Sequence, residues 1–425
     1  MLAEFRVGNY RSFKDEQTLS LIASSEESKG SNSIEVGGYS ILKTAVIYGA
    51  NASGKSNLIK ALACMNTIVC DSAGYKPSNK IPVVPFLFDE KTKSAPTMFE
   101  ATFFMEGVRY QYGFSATKEK IHKEWLLAWP LGKRQIWFER DIKEPEPYFG
   151  PSLKGQNKST WSKVKDNSLF LSVAAQWNHK QFSKIYDWFD KQLRELPDTP
   201  LAVEITDSLL FNDEKSEEAL SFRDLAVKIL RKADFGVNGF EIEKVNVENI
   251  KFPDDMPKEA QRAFAKQLSE HPLYRKTLYH CNRKYSLNLK EESDGTQRFY
   301  SLLGPLLEST AFGYTIFKDE LELNLHPLLT REIVKSVTED EVDNISAQLI
   351  FTTHDTTLLD PELFGRDQVW FTEKDEFEAT QLYSLADYKE STVRKGEAMQ
   401  KRYLAGRYGA IPILERFDLV GTKKQ

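Results

Sequence analysis

Apolar and polar positions alternate along LAEFRVGNY, residues 2–10, and QTLSLIA, residues 17–23, the pattern of strands with one face turned inward. KTAVIYGA, residues 43–50, replaces the alternation with a short apolar run, as expected of a strand covered on both faces. The period then changes: Leu58, Ile59, Leu62, Met65 and Ile68 recur at helical spacing, so GANASGKSNLIK, residues 49–60, joins a buried strand to a helix. VVPFLF, TMFEATFFMEG and VRYQYGFSA predict antiparallel strands, with Glu106 and Gly107 as a turn.

From about residue 150 to 279 the pattern lengthens into amphipathic stretches such as FSKIYDWFDKQLREL, EEALSFRDLAVKILRKA and KEAQRAFAKQLSEH, broken at Pro- and Asp-containing points. These predict a mainly helical insertion. Strand character returns at YSLNLKEES, and YTIFKDE and SAQLIFTTHD read as two further core strands. DQVWFTEKDEFEATQLYSL reads as a hairpin turning at Lys374 and Asp375, and the segment VRKGEAMQKRYLAGRYGAIPILERF as helix and then glycine-broken chain. With no repeat or low-complexity linker, the pieces are expected to form one body with an inserted arm. Residues 1–150 and 281–425 would be its two halves and residues 151–280 the insertion.

Composition narrows the class without naming it. The 425 residues are 41% hydrophobic and 28% charged, and no apolar run approaches the roughly 18 residues of a membrane span. The first residues have no secretory h-region, so a cytoplasmic protein with no membrane contact is expected. Cys64, Cys70 and Cys281 lack CxxC spacing and the six histidines show no zinc pattern, which reads as structural usage. A net charge of −5 argues against a wholly basic nucleic-acid coat and leaves room for a local basic groove.

The chemistry sits in four phrases. Gly49, Gly54, Lys55 and Ser56 fit the phosphate-binding pattern GxxxxGK[ST] with a strand before and a helix after. In such a loop the backbone of Gly49, Ala50, Asn51, Ala52, Ser53 and Gly54 converges N–H groups on phosphate oxygens. Lys55 reaches the β- and γ-phosphates and Ser56 ligates Mg²⁺. TIFKDE adds a second acidic strand end, where Asp319 would hold the metal through water and Glu320 would be the general base. Lys318 interrupts that strand, which suggests an exposed sheet margin. His354 ends the apolar strand LIFTTHD, at the kind of tip where ligands bind, and can be read as a γ-phosphate sensor or as a satisfied structural histidine. In KEESDGTQRFYSLL, Ser293, Asp294, Gly295, Thr296, Gln297 and Arg298 open an apolar helix, either an anion-binding end or a capped helix and nothing more.

Taken in order, these phrases resemble the ATP-binding-cassette type of P-loop ATPase in its SMC and RecF branch. GANASGKSN resembles its Walker A, including Asn57; SDGTQ at 293–297 its signature, with Ser293, Gly295 and Gln297 toward ATP; Asp319 and Glu320 its Walker B. ELNLHP at 322–327 resembles its D-loop and His354 its switch histidine. NYRSF at 9–13 is similar to the N-terminal phrase of that branch, which makes Arg11 a candidate near the nucleotide. PFLFDE, EWLLAWPLGKRQIWFER and RYLAGRYGAIP look like the prokaryotic AAA proteins of the RloA type. The AriA subunit of the PARIS anti-phage system, the Septu ATPase and the ATPase half of OLD nucleases are similar more distantly. No glutamine stands at an obvious Q-loop position; Gln111 and Asp89 are guesses. About 70 residues follow His354, too few for the Toprim nuclease domain of OLD proteins.

The resemblance implies an α/β fold, an ABC-type P-loop ATPase head with a mixed sheet, an antiparallel β-subdomain and a helical insertion, using ATP and Mg²⁺. It implies a head-to-head dimer, because signature and P-loop meet between copies, and a sensor that holds or releases a separately encoded effector, often a nuclease, in anti-phage defence by abortive infection. A RecF-like DNA-repair ATPase is the alternative. In it Arg394, Lys395, Lys401, Arg402 and Arg407 would line a phosphate groove rather than a solvated face. A transporter motor and a nuclease in its own right fit less well.

Overall fold

The computed structural model describes residues 1–24, 32–197, 200–211, 221–245, 256–270, 273–339, 347–388 and 399–412. The chain divides into two compact units, one made of Met1–Glu195, Phe312–Glu322 and Arg331–Gln425, the other of Leu196–Ala311 and Leu323–Thr330.

Among the described residues the first unit holds two large sheets and a two-stranded one, Ser33–Val36 with Tyr39–Leu42. Seven strands form an antiparallel sheet that includes Leu2–Gly8, Gln17–Ser20, Thr97–Met105, Val108–Ala116 and Ile121–Ala128. Glu106 and Gly107 both take positive φ, at 51° and 75°, and make the expected two-residue turn. The second sheet has six strands, in the order Leu193–Glu195, Thr315–Lys318, Gln348–Thr352, Thr44–Gly49, Val369–Lys374, Thr380–Ser384. All but the last run parallel. Thr44–Gly49 is buried at every position, as an inner parallel strand should be. The helix Lys55–Asp71 packs against Leu2–Gly8 of one sheet and against Thr44–Gly49 and Gln348–Thr352 of the other. It buries Leu58, Ile59, Leu62, Met65 and Ile68. At about 1.5–3 kcal/mol for each buried side chain, this stripe fixes the helix and with it the loop at its start. The α/β class, with one mixed sheet and one antiparallel sheet, is the one the sequence predicts.

Several expectations change. VVPFLF is not a strand: residues 81–88 are irregular and lead into the short helix Glu90–Lys93, because Pro82 and Pro85 remove ladder donors. Lys318 is not at a sheet margin: it is 5% exposed, and its strand lies between Leu193–Glu195 and Gln348–Thr352. The basic cluster is not one surface. Lys401 and Arg407 are exposed while Arg402 is buried, and Arg394 and Lys395 lie outside the described residues.

The second unit contains the helices Leu201–Phe211, Phe222–Lys232 and Lys258–Glu270 of the expected insertion, and also a three-stranded antiparallel sheet of Val237–Lys244, Tyr274–His280 and Tyr285–Asn288. The strand Val237–Lys244 falls in a stretch expected to be helical; Val237, Phe240 and Ile242 face inward between exposed glutamates. The helix Asp294–Phe312 carries Pro305, which cannot donate to the carbonyl of Ser301. Thr206 Oγ1 lies 3.1 Å from that carbonyl and accepts from Gly304 N at 3.0 Å. Next to it Asp207 accepts from Lys276 Nζ at 2.6 Å and Tyr300 OH at 2.9 Å. Burial pushes the Asp207 carboxyl above its ordinary range against the pull of Lys276 and Tyr300.

Candidate functional site

Because the strands of the second sheet run parallel, Thr44–Gly49, Thr315–Lys318 and Gln348–Thr352 deliver their carboxyl ends to one edge. The histidine strand lies between the P-loop strand and the acidic strand, an order that the sequence does not announce.

Gly49 and Gly54 have no room for a side chain. A Cβ on Gly49 would stand 2.5 Å from Ser53 Oγ and Thr372, and one on Gly54, whose φ is 116°, would run into Thr380. The N–H groups of Ala52, Gly54, Lys55 and Ser56 find no acceptor among the described residues, so the helix start keeps its donors for an anion. Lys55 is buried, and its Nζ donates to Gly49 O at 2.8 Å and Ala50 O at 3.1 Å. Burial lowers its pKa below the ordinary lysine range, opposed by the charges of Asp319, Glu320 and Glu322. Asn51 and Ala52 are exposed at the loop tip, and Ser56 is half-buried behind it.

Hydroxyls hold the loop from beneath. Ser53 Oγ meets Thr372 Oγ1 at 2.6 Å. Thr380 Oγ1 is 2.8 Å from both the Ser53 carbonyl and Ser12 Oγ, and its hydroxyl is directed at these two acceptors. Ser12 in turn accepts from Asn57 Nδ2 at 2.8 Å. The NYRSF phrase is thereby tied to the P-loop, and Asn57 is a strut between them. Arg11 projects from that turn, exposed, with Nε donating to Tyr10 OH at 3.2 Å. Asn9 pins the PFLFDE segment, accepting from Phe86 N at 3.0 Å. Asp89 pairs with Lys14 at 2.9 Å, and Gln111 sits within the strand Val108–Ala116.

The acidic turn is laced to the histidine strand. Thr352 Oγ1 donates to Asp319 Oδ1 at 2.6 Å and accepts from Glu320 N at 2.8 Å. Glu320 takes φ 50°, which turns the chain sharply after the strand. His354 Nε2 is 3.8 Å from Glu320 Oε1, beyond a direct hydrogen bond. Glu322 Oε1 accepts from His354 N at 2.6 Å. Sequence reasoning missed Thr352, Thr372 and Thr380 and gave no role to Ser12 and Glu322, although these stand in the NYRSF and ELNLHP phrases; Thr352 offered a signal in TTHD, two residues before the histidine.

Ser293, Gly295 and Gln297 belong to the second unit. Ser293 Oγ caps the helix by accepting from Thr296 N at 3.2 Å, and Gln297 Nε2 donates to Glu292 O at 2.8 Å. Asn324 O, from the ELNLHP phrase, lies 3.3 Å from where a Cβ on Gly295 would be. A cavity of about 560 Å³ lined by Cys70, Asp71, Tyr186 and Asp187 opens at the far end of the helix Lys55–Asp71, roughly 25 Å from the glycine loop. It gathers none of the residues of the four phrases. Among the described residues no group of three or more His, Cys, Asp or Glu forms a metal cluster, and no helix is long and apolar enough to cross a membrane.

A glycine cradle, a buried lysine and an acidic turn at one sheet edge are what a P-loop nucleotide-binding domain requires. The family described as "AAA domain, putative AbiEii toxin, Type IV TA system" matches residues 45–360, and the chain belongs to it. Membership makes it a nucleotide-binding protein of the AAA ATPase class. No curated protein matches the chain. Among solved structures it is similar to the SMC head domain from Thermotoga maritima, at 11% identity and TM-score 0.39, over 90% of this chain and 98% of that one. It is also similar to an SmcHead bound to the C-winged helix domain of ScpA, at 9% identity and TM-score 0.39, over 90% and 97%.

Proposed function

We propose that this chain is an ATP-driven switch: it binds and hydrolyses ATP, closes as a head-to-head dimer around the nucleotide, and thereby holds or releases a separately encoded effector nuclease in anti-phage defence. The observation that carries the reading is the convergence of Lys55, Asp319, Glu320 and His354 at one edge of the parallel sheet. The family description, which speaks of a putative toxin and a Type IV TA system, supports a role beside a partner.

The cradle at Gly49 and Gly54 and the uncommitted N–H groups fit a phosphate chain. The backbone of Ala50, Asn51 and Ala52 would wrap the phosphates and Lys55 would leave the loop carbonyls to meet them. Ser56 and Asp319 would hold Mg²⁺, which supplies charge neutralisation at the phosphates when bound. Glu320, whose carboxylate accepts no hydrogen bond among the described residues and stands 3.8 Å from His354 Nε2, is available to take a proton from water. His354 would sense the terminal phosphate. Ser293, Gly295 and Gln297 of a second copy would close the site, so that the differential contact of ATP over ADP drives dimerisation. The proposed setting is the cytoplasm.

The test is the mass of Glu320→Gln with ATP, by light scattering. Twice the monomer mass with ATP and the monomer mass with ADP is the expected pair; one mass under both conditions removes the switch. A DNA-clamping repair ATPase is compatible with the same family and fold. Salt-dependent DNA binding that weakens on charge reversal of Lys401 and Arg407 would favour it.

A further inference from the structure

We infer that Glu322 is a positioning residue for His354. The inference rests on the ATPase reading above. The imidazole and Glu320 do not touch at hydrogen-bond distance, being 3.8 Å apart, so that contact cannot orient His354. Its placement therefore depends on the backbone at residue 354. The preceding residue is fixed by the strand, with Thr353 N donating to Ile47 O at 3.2 Å. The following one is fixed by Tyr48, whose OH donates to Asp355 O at 3.1 Å. The peptide N–H of His354 itself is held by Glu322 Oε1 at 2.6 Å, a short bond of the charge-assisted kind.

The second oxygen explains why a carboxylate stands there. Glu322 Oε2 is shut from solvent with no hydrogen-bond partner among the described residues, an arrangement that costs about 1–3 kcal/mol and that a purely structural anchor would avoid. A threonine, with one side-chain oxygen, could accept from His354 N without leaving a second buried polar atom unmet. The Glu322 charge also acts on Lys55, alongside Asp319 and Glu320. One side chain thus links the backbone of the phosphate-sensing histidine to the electrostatics of the phosphate-binding lysine. Thr352 ties the same two segments together at Asp319 and Glu320, so removing Glu322 takes the acceptor from the His354 N–H while leaving the acidic pair laced.

The experiment compares Glu322→Ala, Glu322→Gln, His354→Ala and the double variant Glu322→Ala/His354→Ala, with Lys55→Ala as the control for the ATPase reading. Hydrogen exchange of the His354 amide is measured first, in nucleotide-free protein. It should be protected in the wild type and in Glu322→Gln, whose amide oxygen can still accept, and should exchange at least about tenfold faster in Glu322→Ala. ATP turnover follows. Glu322→Ala should lower kcat about tenfold or more with KM little changed, Glu322→Gln should recover most of it, and Glu322→Ala should have no further effect once His354 is Ala. Equal losses in both backgrounds, or unchanged exchange at residue 354, would overturn the inference while leaving the ATPase reading intact. A wild type with no turnover, or a Lys55→Ala variant as active as wild type, would instead remove the reading and the inference with it.

Discussion

Glu124 and Glu322 each keep carboxylate oxygen away from water, and the chain treats them in opposite ways. Glu124 is fully buried and fully partnered. Its Oε1 accepts from Tyr112 OH at 2.9 Å and Leu171 N at 3.0 Å, its Oε2 accepts from Phe170 N at 2.8 Å, and Arg140 pairs with it at 3.0 Å. It satisfies the first N–H groups of the helix Phe170–Gln176 and joins that helix to the antiparallel sheet. Glu322, at the parallel sheet, spends one oxygen on His354 and leaves the other without a partner among the described residues. A carboxylate whose bonds are all met holds a fold together. A carboxylate left partly unmet beside a buried lysine marks a place where the fold is arranged for something else to happen.

The sharpest way to break that contrast is through function. Lys55→Ala should lose ATP binding by at least about 100-fold, while its stability stays within about 1 kcal/mol, because a desolvated ammonium is removed along with its bonds. Isothermal titration and a urea curve read the two quantities, and a variant that binds like wild type would put the nucleotide elsewhere. Glu124→Ala should do the reverse, costing about 3–5 kcal/mol by leaving Arg140 buried and unpaired. If its urea midpoint matches that of Asp319→Ala, the contrast between the two sheets is lost. Gly304→Ala should cost about 1–3 kcal/mol, since its Cβ would stand 2.5 Å from Thr206 Cα in the packed second unit. Thermal melts check this, and a neutral result would mean that the helix at Pro305 has room to shift.

The smallest effect is a pH dependence within the antiparallel part. His179 Nδ1 accepts from Phe182 N at 3.3 Å, so Nδ1 carries no proton and Nε2 donates to Asn157 Oδ1 at 3.0 Å. Burial lowers the His179 pKa below 6.5, so the neutral form is favoured by folding. Its contribution is fully present above the unfolded value and is lost as pH falls through the folded one. His179→Asn keeps the cap and removes the titration. The drop in urea midpoint from pH 7.5 to pH 5 should be smaller in the variant, and an equal drop would assign the dependence to other groups.

Much of this site was legible because its geometry follows from strand direction. An apolar run ending in a glycine loop, one ending in Asp319 and Glu320, and one ending in His354 share an edge once the strands are parallel. Their order across the sheet was not legible, since strand order leaves no period in the sequence. The hydroxyls of Thr372 and Thr380 carried no signal either, and Ser12 was visible only as part of NYRSF: their bonds join residues 45 to 368 positions apart. VVPFLF misled because apolar residues dominate it while its prolines decide its backbone. Lys318 and Arg402 misled because burial of a charged side chain is settled by neighbours rather than by type.

The central claim is that the edge formed by Lys55, Asp319, Glu320 and His354 is one ATP-hydrolysing site. Single-turnover phosphate release from enzyme-bound ATP, wild type against Glu320→Gln, tests it most directly. ATP affinity should stay within a few-fold of wild type while release slows by about 10²–10⁴-fold. Phosphate release at the wild-type rate from Glu320→Gln would contradict it.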